Sequence, residues 1–384
     1  MSTSELHEKY APIMHFSAGE QFFPMSVKDF LSYAALYHKD QDKPFVPRGQ
    51  VQPDHLTQRY AQEAFLRSVD RGSMHGSDVA KGWGKDTVSL IYKWTQSPVH
   101  AWSDEVARRV YDWFSEKTKT ATRYFWWNKL LLPQGTTLFK RRDERSEKPR
   151  FRLPHDVRNS ALENYQNSQG SQRNYTYYYR TVKQGSYLNL QYWFFYAYND
   201  WSTSFDGFND HEGDWEGCQL FFKLDADNRP LEPPAHICYL GHHSRISKPW
   251  RHPDIQKSGT HPHVYVAAGS HASYPEAKPY PIMSLYNLVD RATGDELSLS
   301  PDEWRSRINL AHDPWIHTYP GSWGTRYWLP LAWMQKTIGA IAPTLPGEIS
   351  LPGVSAPRGP RFDDEGQERE TWSNTLSFAG IVET

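Results

Sequence analysis

Five short segments rich in aromatic and β-branched residues follow one another in the middle of this chain, and they constrain its fold more than any other feature. They read YTYYYRTV, YLNLQYWFFYAY, DWEGCQLFFKL, AHICYLGHHS and HVYVAAGSHASY, all between residues 175 and 274. Runs of this kind are typical of strands, and KQGS between the first two reads as a hairpin turn. Because no helical segment separates the five, the pattern predicts an antiparallel β-sandwich.

The first third of the chain shows a different periodicity. SVKDFLSYAALYHK begins with Ser26 as a candidate N-cap, with Asp29 three residues later. HLTQRYAQEAFLRSV and SDEVARRVYDWFSEKT place apolar residues at three- and four-residue spacing, which indicates helices. We therefore predict an α+β protein with three regions: a mainly helical N-terminal region (1–125), a β-sandwich core (126–282) and a loop-rich C-terminal extension (283–384).

The bulk composition excludes some classes of protein. Lys and Arg number 43 against 44 acidic residues, and this balance argues against a nucleic-acid-binding protein. No apolar run reaches the roughly 18 residues that a membrane helix needs. The opening MSTSELHEKYAPIMHF lacks the pattern of a signal peptide. We expect a protein made in the cytoplasm without a transmembrane segment, with any export by a non-classical route and with Cys218 and Cys238 as buried thiols.

Aromatic residues make up 15% of the chain, including 16 Trp and 23 Tyr. Aromatic side chains pack the interiors of sheets, and they also contact sugars and lie at lipid interfaces. Both interpretations stay open at this point, and packing is the more common use of such residues.

The stretch NDHEGDWEGCQLFF contains the clearest candidate site. Because side chains alternate along a strand, Asp214 and Glu216 share a face with Cys218, which belongs to the apolar half of the strand. Two carboxylates held together at a core-facing strand end require a shared proton, a cation or a basic partner. His211 lies just before the strand and can turn its ring toward the pair. Such an oxygen-rich set with one imidazole suits Mg²⁺, Ca²⁺ or Mn²⁺ better than Zn²⁺.

Other candidate residues lie at the ends of neighbouring strands. Asp200 ends the YWFFYAYND segment and is a fourth candidate metal ligand, while His243 and His271 end two further segments and are candidate general bases. Trp215, His271 and Tyr274 are candidate contacts for a bound ligand. Taken singly, each of these residues is more often structural, and Trp215 is more often part of a core. The pattern His-x-x-Asp-x-Glu and the two histidine-ending strands together favour a site.

Several quoted motifs resemble a known family. HEGDWE followed by VYVAAGSHASYP is similar to strands of the vacuolar protein sorting-associated protein 62 family. YAPIMHFSAGEQFFP near the beginning of the chain, and PGSWG and APRGPRF near its end, are also similar to that family. The resemblance implies a role in trafficking or as a scaffold, in which the polar cluster would be only a structural ion site.

A more distant resemblance is to the necrosis- and ethylene-inducing peptide-like cytolysins. They carry a Gly-His-Arg-His-Asp-Trp-Glu motif in a β-sandwich, and its first His, its Asp and its Glu hold a divalent cation together with an upstream Asp. The resemblance implies that His211, Asp214, Glu216 and Asp200 hold a divalent cation here, and a later Ser-His-Gly strand end of that family resembles Ser270-His271.

Two departures from that motif limit the comparison. Gly213 stands where the motif has its second His, and Glu212 stands where it has Arg. The secretion signal and the disulfide of those toxins are not visible in this sequence. The resemblance therefore implies cation binding, and it does not imply toxicity to plant cells.

Two functions compete beside the trafficking role. In the first, a divalent cation links the protein to an anionic glycan or lipid headgroup, with possible peripheral contact to a membrane. In the second, a metal-dependent hydrolase cleaves a phosphoester or glycosidic bond, with His243 or His271 as general base. No nucleophile elbow and no phosphate-cradling glycine loop is present in the sequence, and this favours the binding protein.

Overall fold

The computed structural model describes residues 3–39, 41–82, 153–170, 173–201, 210–241, 245–283, 288–330, 348–351 and 353–383. Its helices are α1 (Thr3–Lys9), α2 (Val27–Leu31), α3 (Pro53–Leu56), α4 (Gly76–Gly82), α5 (His155–Gln169), α6 (Trp315–Thr318), α7 (Glu370–Ser373) and α8 (Thr375–Ala379). Its strands are β1 (Ile13–Phe16), β2 (Ala35–His38), β3 (Ala64–Arg67), β4 (Thr176–Gln184), β5 (Tyr187–Asn199), β6 (His211–Lys223), β7 (His236–Leu240), β8 (Arg245–Pro249), β9 (Lys257–Ser258), β10 (His261–Val266), β11 (Ser273–Tyr274), β12 (Lys278–Met283), β13 (Leu288–Ala292), β14 (Leu297–Leu299), β15 (Ser306–Asn309), β16 (Trp328–Pro330) and β17 (Glu348–Ser350).

A six-stranded sheet with the order β15–β4–β5–β6–β7–β8 holds the first four predicted strand segments. Neighbours from β4 to β8 are antiparallel, and the predicted KQGS turn joins β4 to β5. The longest strands, β5 and β6, have 13 residues each and lie at the centre. The acidic stretch therefore belongs to a central strand, and Asp214 lies opposite Tyr196 of β5.

Both faces of this large sheet are buried, which explains why its central strands read as continuous apolar runs. Every residue of β5 is buried. In β6, Cys218, Leu220 and Phe222 join one apolar cluster, whereas Trp215 and Phe221 join another. The predicted alternation of side chains is thus present, and truncating a core residue such as Leu220 to Ala would cost about 2–5 kcal/mol.

A second, smaller sheet covers one face of the large one. Its strands run β11–β10–β1–β14, and β9 pairs with β10. Met14 and Phe16 of β1 and Val264 and Val266 of β10 share the cluster of Cys218 and its neighbours. The small sheet thus brings residues from distant parts of the chain onto the central strands.

The prediction of an antiparallel architecture needs a correction, because both sheets are mixed. β1 is parallel to β10, and β15 is parallel to β4. Both pairs join segments far apart in the sequence, so no hairpin pattern could have revealed them. The fold class is α+β, with open sheets and few long helices among the described residues.

The prediction of a mainly helical N-terminal region is also wrong for the part that the structure describes. Ser26 does cap α2, since its Oγ accepts a hydrogen bond from the backbone N–H of Lys28. The helix ends at Leu31, however, and the next residues form β2, which pairs with β3. This pairing buries Leu36 and Leu66, and this tertiary contact outweighs local helix preference. The third predicted helix lies outside the described residues.

The longest described helix, α5, lies instead in the region predicted to hold only the sandwich. It buries Val157, Ala161 and Tyr165 against the second face of the large sheet. It also positions the buried Arg158 beside the end of β5. No helix of the described residues has the length and apolar character needed to cross a membrane.

Candidate ligand-binding site

Asp214 lies near the start of β6, and both of its carboxylate oxygens accept hydrogen bonds. Oδ2 accepts from Nδ1 of His271 and from Nδ2 of Asn199, each over 3.0 Å, and Oδ1 accepts from the backbone N–H of Trp215. Burial alone would raise the pKa of Asp214. The hydrogen bond from His271 and the charges of His211 and His271 nevertheless hold this pKa below its usual value. Asp214 is therefore an ionised and well-bonded carboxylate.

His271 lies entirely inside the protein between two carboxylates. Its Nδ1 is bonded to Asp214, and its Nε2 lies 3.5 Å from Oε1 of Glu20. The ring stacks on Tyr196 with centroids 3.8 Å apart. Burial by itself would lower the pKa of His271. The charge of Glu20 and the hydrogen bond with Asp214 outweigh burial and raise this pKa to about 9. At neutral pH the side chain is therefore an imidazolium, which cannot act as a general base.

The backbone at His271 is held in an unusual conformation. Its φ is 58°, in the left-handed region that only glycine adopts freely. The N–H of His271 donates to the carbonyl of Ala267, and the N–H of Ala267 donates to the carbonyl of Ala272. These bonds hold the tight turn after β10 that points the imidazole at Asp214.

Glu20 completes this arrangement and was not among the candidates from the sequence. Its Oε1 accepts from the backbone N–H groups of Gln21 and Phe22, and its Oε2 accepts from that of Gly269. Glu20 follows β1 and His271 follows β10. These strands are parallel neighbours. The segments that follow them therefore begin at the same end of the two strands. The sequence offered no signal for that pairing.

Glu216 is the second carboxyl of the predicted pair, and its environment differs from that of Asp214. The side chain is partly exposed. Burial raises its pKa well above the usual value, the charges of Asp214 and Asp290 raise it further, and the charge of Arg369 lowers it. Glu216 therefore keeps a proton into a pH range in which a carboxyl is normally ionised, unless a cation approaches it.

A third carboxyl, Asp290 of β13, lies fully buried in the same region. It accepts hydrogen bonds from Trp201 Nε1 (3.2 Å), Ser270 Oγ (2.9 Å) and Tyr274 OH (2.6 Å). Tyr274, a predicted ligand contact, is thus buried and bonded to Asp290, and its ring stacks on Tyr280. In this structure Tyr274 presents no free surface to a ligand.

Trp215, also a predicted ligand contact, packs in the core. Its indole meets the rings of Tyr178, Phe195 and Trp323, with centroids 5.1 to 5.5 Å apart. These residues belong to the cluster on the face of the large sheet that looks away from the small sheet.

Three predicted site residues remain: the candidate metal ligands His211 and Asp200, and the candidate general base His243. Nδ1 of His211 donates a hydrogen bond to the carbonyl of Gly213 over 2.8 Å, so Nε2 is the ring nitrogen that could bind an ion. Asp200 is buried in an ion pair in which Nε of Arg158 donates to Oδ2 over 2.9 Å. His243 lies outside the described residues.

The fit of a divalent cation can be tested against these donors. In the described ranges no three His, Cys, Asp or Glu side chains converge closely enough to hold a metal ion. The donor types suit a hard cation at Asp214 and Glu216, with His211 Nε2 as a third group. Asp200 does not suit this role because Arg158 already balances its charge. Asp214, by contrast, shares the single charge of His271 with Glu20. A cation site would have to assemble as the ion binds.

Comparisons with known proteins give matches among solved structures. No family model matches the chain, and no curated protein matches it, so the resemblance to the vacuolar protein sorting-associated protein 62 family stays a prediction from motifs. Solved structures that the chain is similar to include necrosis- and ethylene-inducing proteins. One is Necrosis and Ethylene inducing Protein 2 from the causal agent of cocoa's witches' broom disease, with 15% identity, a TM-score of 0.25, and 37% of this chain and 57% of that chain covered. Another is NLPPya in complex with mannosamine, with 11% identity, a TM-score of 0.23, and 37% and 56% covered. The chain thus spans little more than half the length of these neighbours, and at such scores they assign it no ligand.

Proposed function

We propose that this chain is a binding protein that uses a divalent cation at Asp214 and Glu216 to take up an anionic glycan or a lipid headgroup. The observation that carries the proposal is the crowding of carboxyl groups at Glu216. Its carboxyl is close enough to Asp214 and Asp290 for both to raise its pKa, and it is partly exposed. A cation arriving from solvent would replace the proton on Glu216 and neutralise the pair.

A buried hydroxyl supports the same location. Tyr196 is fully buried, and its OH has no hydrogen-bond partner among the described residues. Burial raises the pKa of Tyr196, and the charges of Glu20, Glu216 and Asp214 raise it further. The phenol therefore lies close to three carboxyl groups. An unsatisfied buried hydroxyl commonly marks the position of a water or an ion.

The state of His271 argues against a hydrolase that uses this residue as its general base, and so favours binding. A hydrolase of the type considered above needs a neutral imidazole near the metal. His271 is an imidazolium at neutral pH, is closed off from solvent and is bonded to Asp214. Its position suits a residue that holds Asp214 in place. We also infer that the two sheets, which share one apolar cluster, are the two layers of a sandwich with this site at one end.

Calorimetric titration of EDTA-treated protein with Ca²⁺, Mg²⁺ and Mn²⁺ tests the cation. We expect one ion per chain to bind, and Glu216→Gln to weaken binding by about tenfold or more, since even outer-shell changes at metal sites cost 10–100-fold. Asp302→Asn, a change in an exposed acidic residue, serves as the control. The absence of heat and of any change in melting temperature with all three ions would overturn the cation-dependent mechanism.

The ligand class is tested on acidic and neutral glycan arrays and on vesicles with and without anionic phosphatidylserine. We expect retention on acidic glycans or anionic vesicles that is lost with EDTA and restored by the ion. Equal retention on neutral surfaces contradicts the proposal. Turnover of a phosphoester or glycoside that disappears in Glu216→Gln would favour the hydrolase instead.

A further inference from the structure

Two histidines meet on the partly exposed outer face of the small sheet, away from the carboxyl groups described above. His15 lies on β1 and His263 on β10, strands that pair in parallel with Ile13 opposite His263. Nε2 of His15 and Nδ1 of His263 are 3.0 Å apart. Both side chains keep partial exposure, so solvent ions can reach them.

The outer nitrogen of each ring faces a serine hydroxyl. Nδ1 of His15 is 2.8 Å from Oγ of Ser298, and Nε2 of His263 is 2.9 Å from Oγ of Ser258. A hydroxyl can donate or accept. If both outer nitrogens donate to the serines, both inner nitrogens present lone pairs toward the same point. The change from the metal-free pair requires only that one imidazole move its proton from its inner to its outer nitrogen.

This arrangement has the features of a pair of metal ligands. Imidazoles that bind a metal almost always donate their second N–H to an oxygen, which fixes the tautomer and the ring orientation. Stacking of His15 on Tyr265, with centroids 4.7 Å apart, orients one ring further. Both groups are also available as neutral ligands. Burial lowers the pKa of both histidines, and the charge of His263 adds to this for His15, whose pKa is about 4.

We infer that His15 and His263 form a binding site for a borderline transition-metal ion such as Cu²⁺, Ni²⁺ or Zn²⁺. Imidazole ligands favour these ions, whereas oxygen ligands favour Mg²⁺, Ca²⁺ and Mn²⁺. With metal–nitrogen distances of about 2.0–2.1 Å, the ion bridges the two inner nitrogens after a small rotation of the rings. In the described part of the chain no third His, Cys, Asp or Glu completes this pair. Water or a group of a bound molecule takes the other coordination positions.

An ion at this pair would connect two strands that lie 248 residues apart in the chain. It would therefore stabilise the small sheet, which carries Glu20 and His271 in the segments after those strands. This site is independent of the cation proposed at Asp214 and Glu216, because it uses different residues and prefers different ions. The two proposals can fail separately.

The test uses the Glu216→Gln protein, so that the other candidate site contributes little. Cu²⁺ is added at neutral pH, and binding is followed by equilibrium dialysis and by electron paramagnetic resonance. We expect one tightly bound Cu²⁺ whose spectrum shows splitting from two nitrogen ligands. His15→Gln and His263→Gln are each expected to weaken binding by about 100-fold and to leave at most one nitrogen ligand; Ser298→Ala is expected to weaken it by about tenfold through the outer shell.

The control is His312→Gln, because His312 is an exposed histidine. Circular dichroism shows whether each variant folds. Because the two variants change different strands, the test still stands if one of them fails to fold. Copper binding that is equally strong in His15→Gln, in His263→Gln and in the parent overturns the inference. A spectrum of the parent protein without splitting from two nitrogens overturns it as well.

Discussion

Nδ1 of His271 hydrogen-bonds Oδ2 of Asp214 over 3.0 Å, and the two residues lie 57 positions apart in the chain. The pair places a buried positive charge against one carboxylate of the acidic stretch, while Glu20 approaches the other side of the ring. Asp214 therefore has part of its charge balanced from within the protein, because it shares the imidazolium with Glu20. Glu216 is not matched in the same way, and this difference between two residues of one strand is the basis of the proposed cation site.

Replacing His271 tests whether this internal charge holds the site together. In His271→Gln, Glu20 and Asp214 lose their shared imidazolium, and removal of one partner from a buried ion pair typically costs about 3–5 kcal/mol. We expect the free energy of unfolding, measured by urea denaturation at pH 7, to fall by that order. His312→Gln, at an exposed position, should leave it nearly unchanged. A loss below about 1 kcal/mol would show that His271 is neutral or that its partners find other donors.

Variants at Asp200 and Arg158 distinguish a carboxylate that binds the cation from one that only stabilises the fold. Its partner Arg158 is buried, and the two are joined over 2.9 Å. We expect Arg158→Met to lower the free energy of unfolding by about 3–5 kcal/mol because it removes one partner of a buried ion pair. Asp200→Asn should leave affinity for Ca²⁺ or Mn²⁺ unchanged, in contrast to Glu216→Gln. If Asp200→Asn abolishes ion binding while the fold persists, Asp200 is a ligand, as the resemblance to the cytolysins implies.

The central strands were predictable because their signals are local. YTYYYRTV and YLNLQYWFFYAY coincide with β4 and β5, and the period-two pattern placed Asp214 on the same face as Cys218. The short strands β2 and β3 were not predictable. Leu36 and Leu66 fit a helical spacing, and only their pairing with each other decides for a strand.

Only some of the residues that meet around Asp214 and Asp200 could be picked out from the sequence. Asp214, Glu216 and His271 stood out because each lies in or just after a recognisable strand. Glu20 and Arg158 did not, because they reach the site through the parallel pairing of β1 with β10 and through the packing of α5 on the large sheet. Contacts of this range leave no periodic trace in a single sequence.

Gly213 is a departure from the cytolysin motif that the structure explains. Its φ is 61°, and a Cβ added there would lie 1.9 Å from the carbonyl oxygen of Trp323. We expect Gly213→Ala to be destabilised more strongly than Gly259→Ala. Gly259 has a similar φ of 64° but no atom within 4 Å of its added Cβ, so it reports only the conformational cost of about 1–2 kcal/mol. Equal losses in the two variants, measured by urea denaturation, would show that the Trp323 backbone moves away freely.

We expect the free energy of unfolding to depend on pH through His317, a residue outside the candidate site. Burial, and then the charges of Arg361 and Arg180, lower its pKa to about 4 from 6.5. The unfolded chain therefore takes up a proton on this histidine at a higher pH than the folded chain does. Its contribution to stability is fully present above pH 6.5 and is lost as the pH falls toward 4. The loss amounts to at most about 3 kcal/mol, since each pKa unit corresponds to 1.36 kcal/mol.

The matched variant for this prediction is His317→Phe, which keeps an aromatic ring beside Trp372, 5.0 Å from the histidine ring in the native chain. Urea denaturation of both proteins at several pH values between 4 and 7 isolates the histidine, because all other titrating groups are common to the two. We expect the native protein to lose stability relative to His317→Phe as the pH falls through this window. A difference between the two proteins that stays constant with pH would show that His317 titrates alike in the folded and unfolded chains.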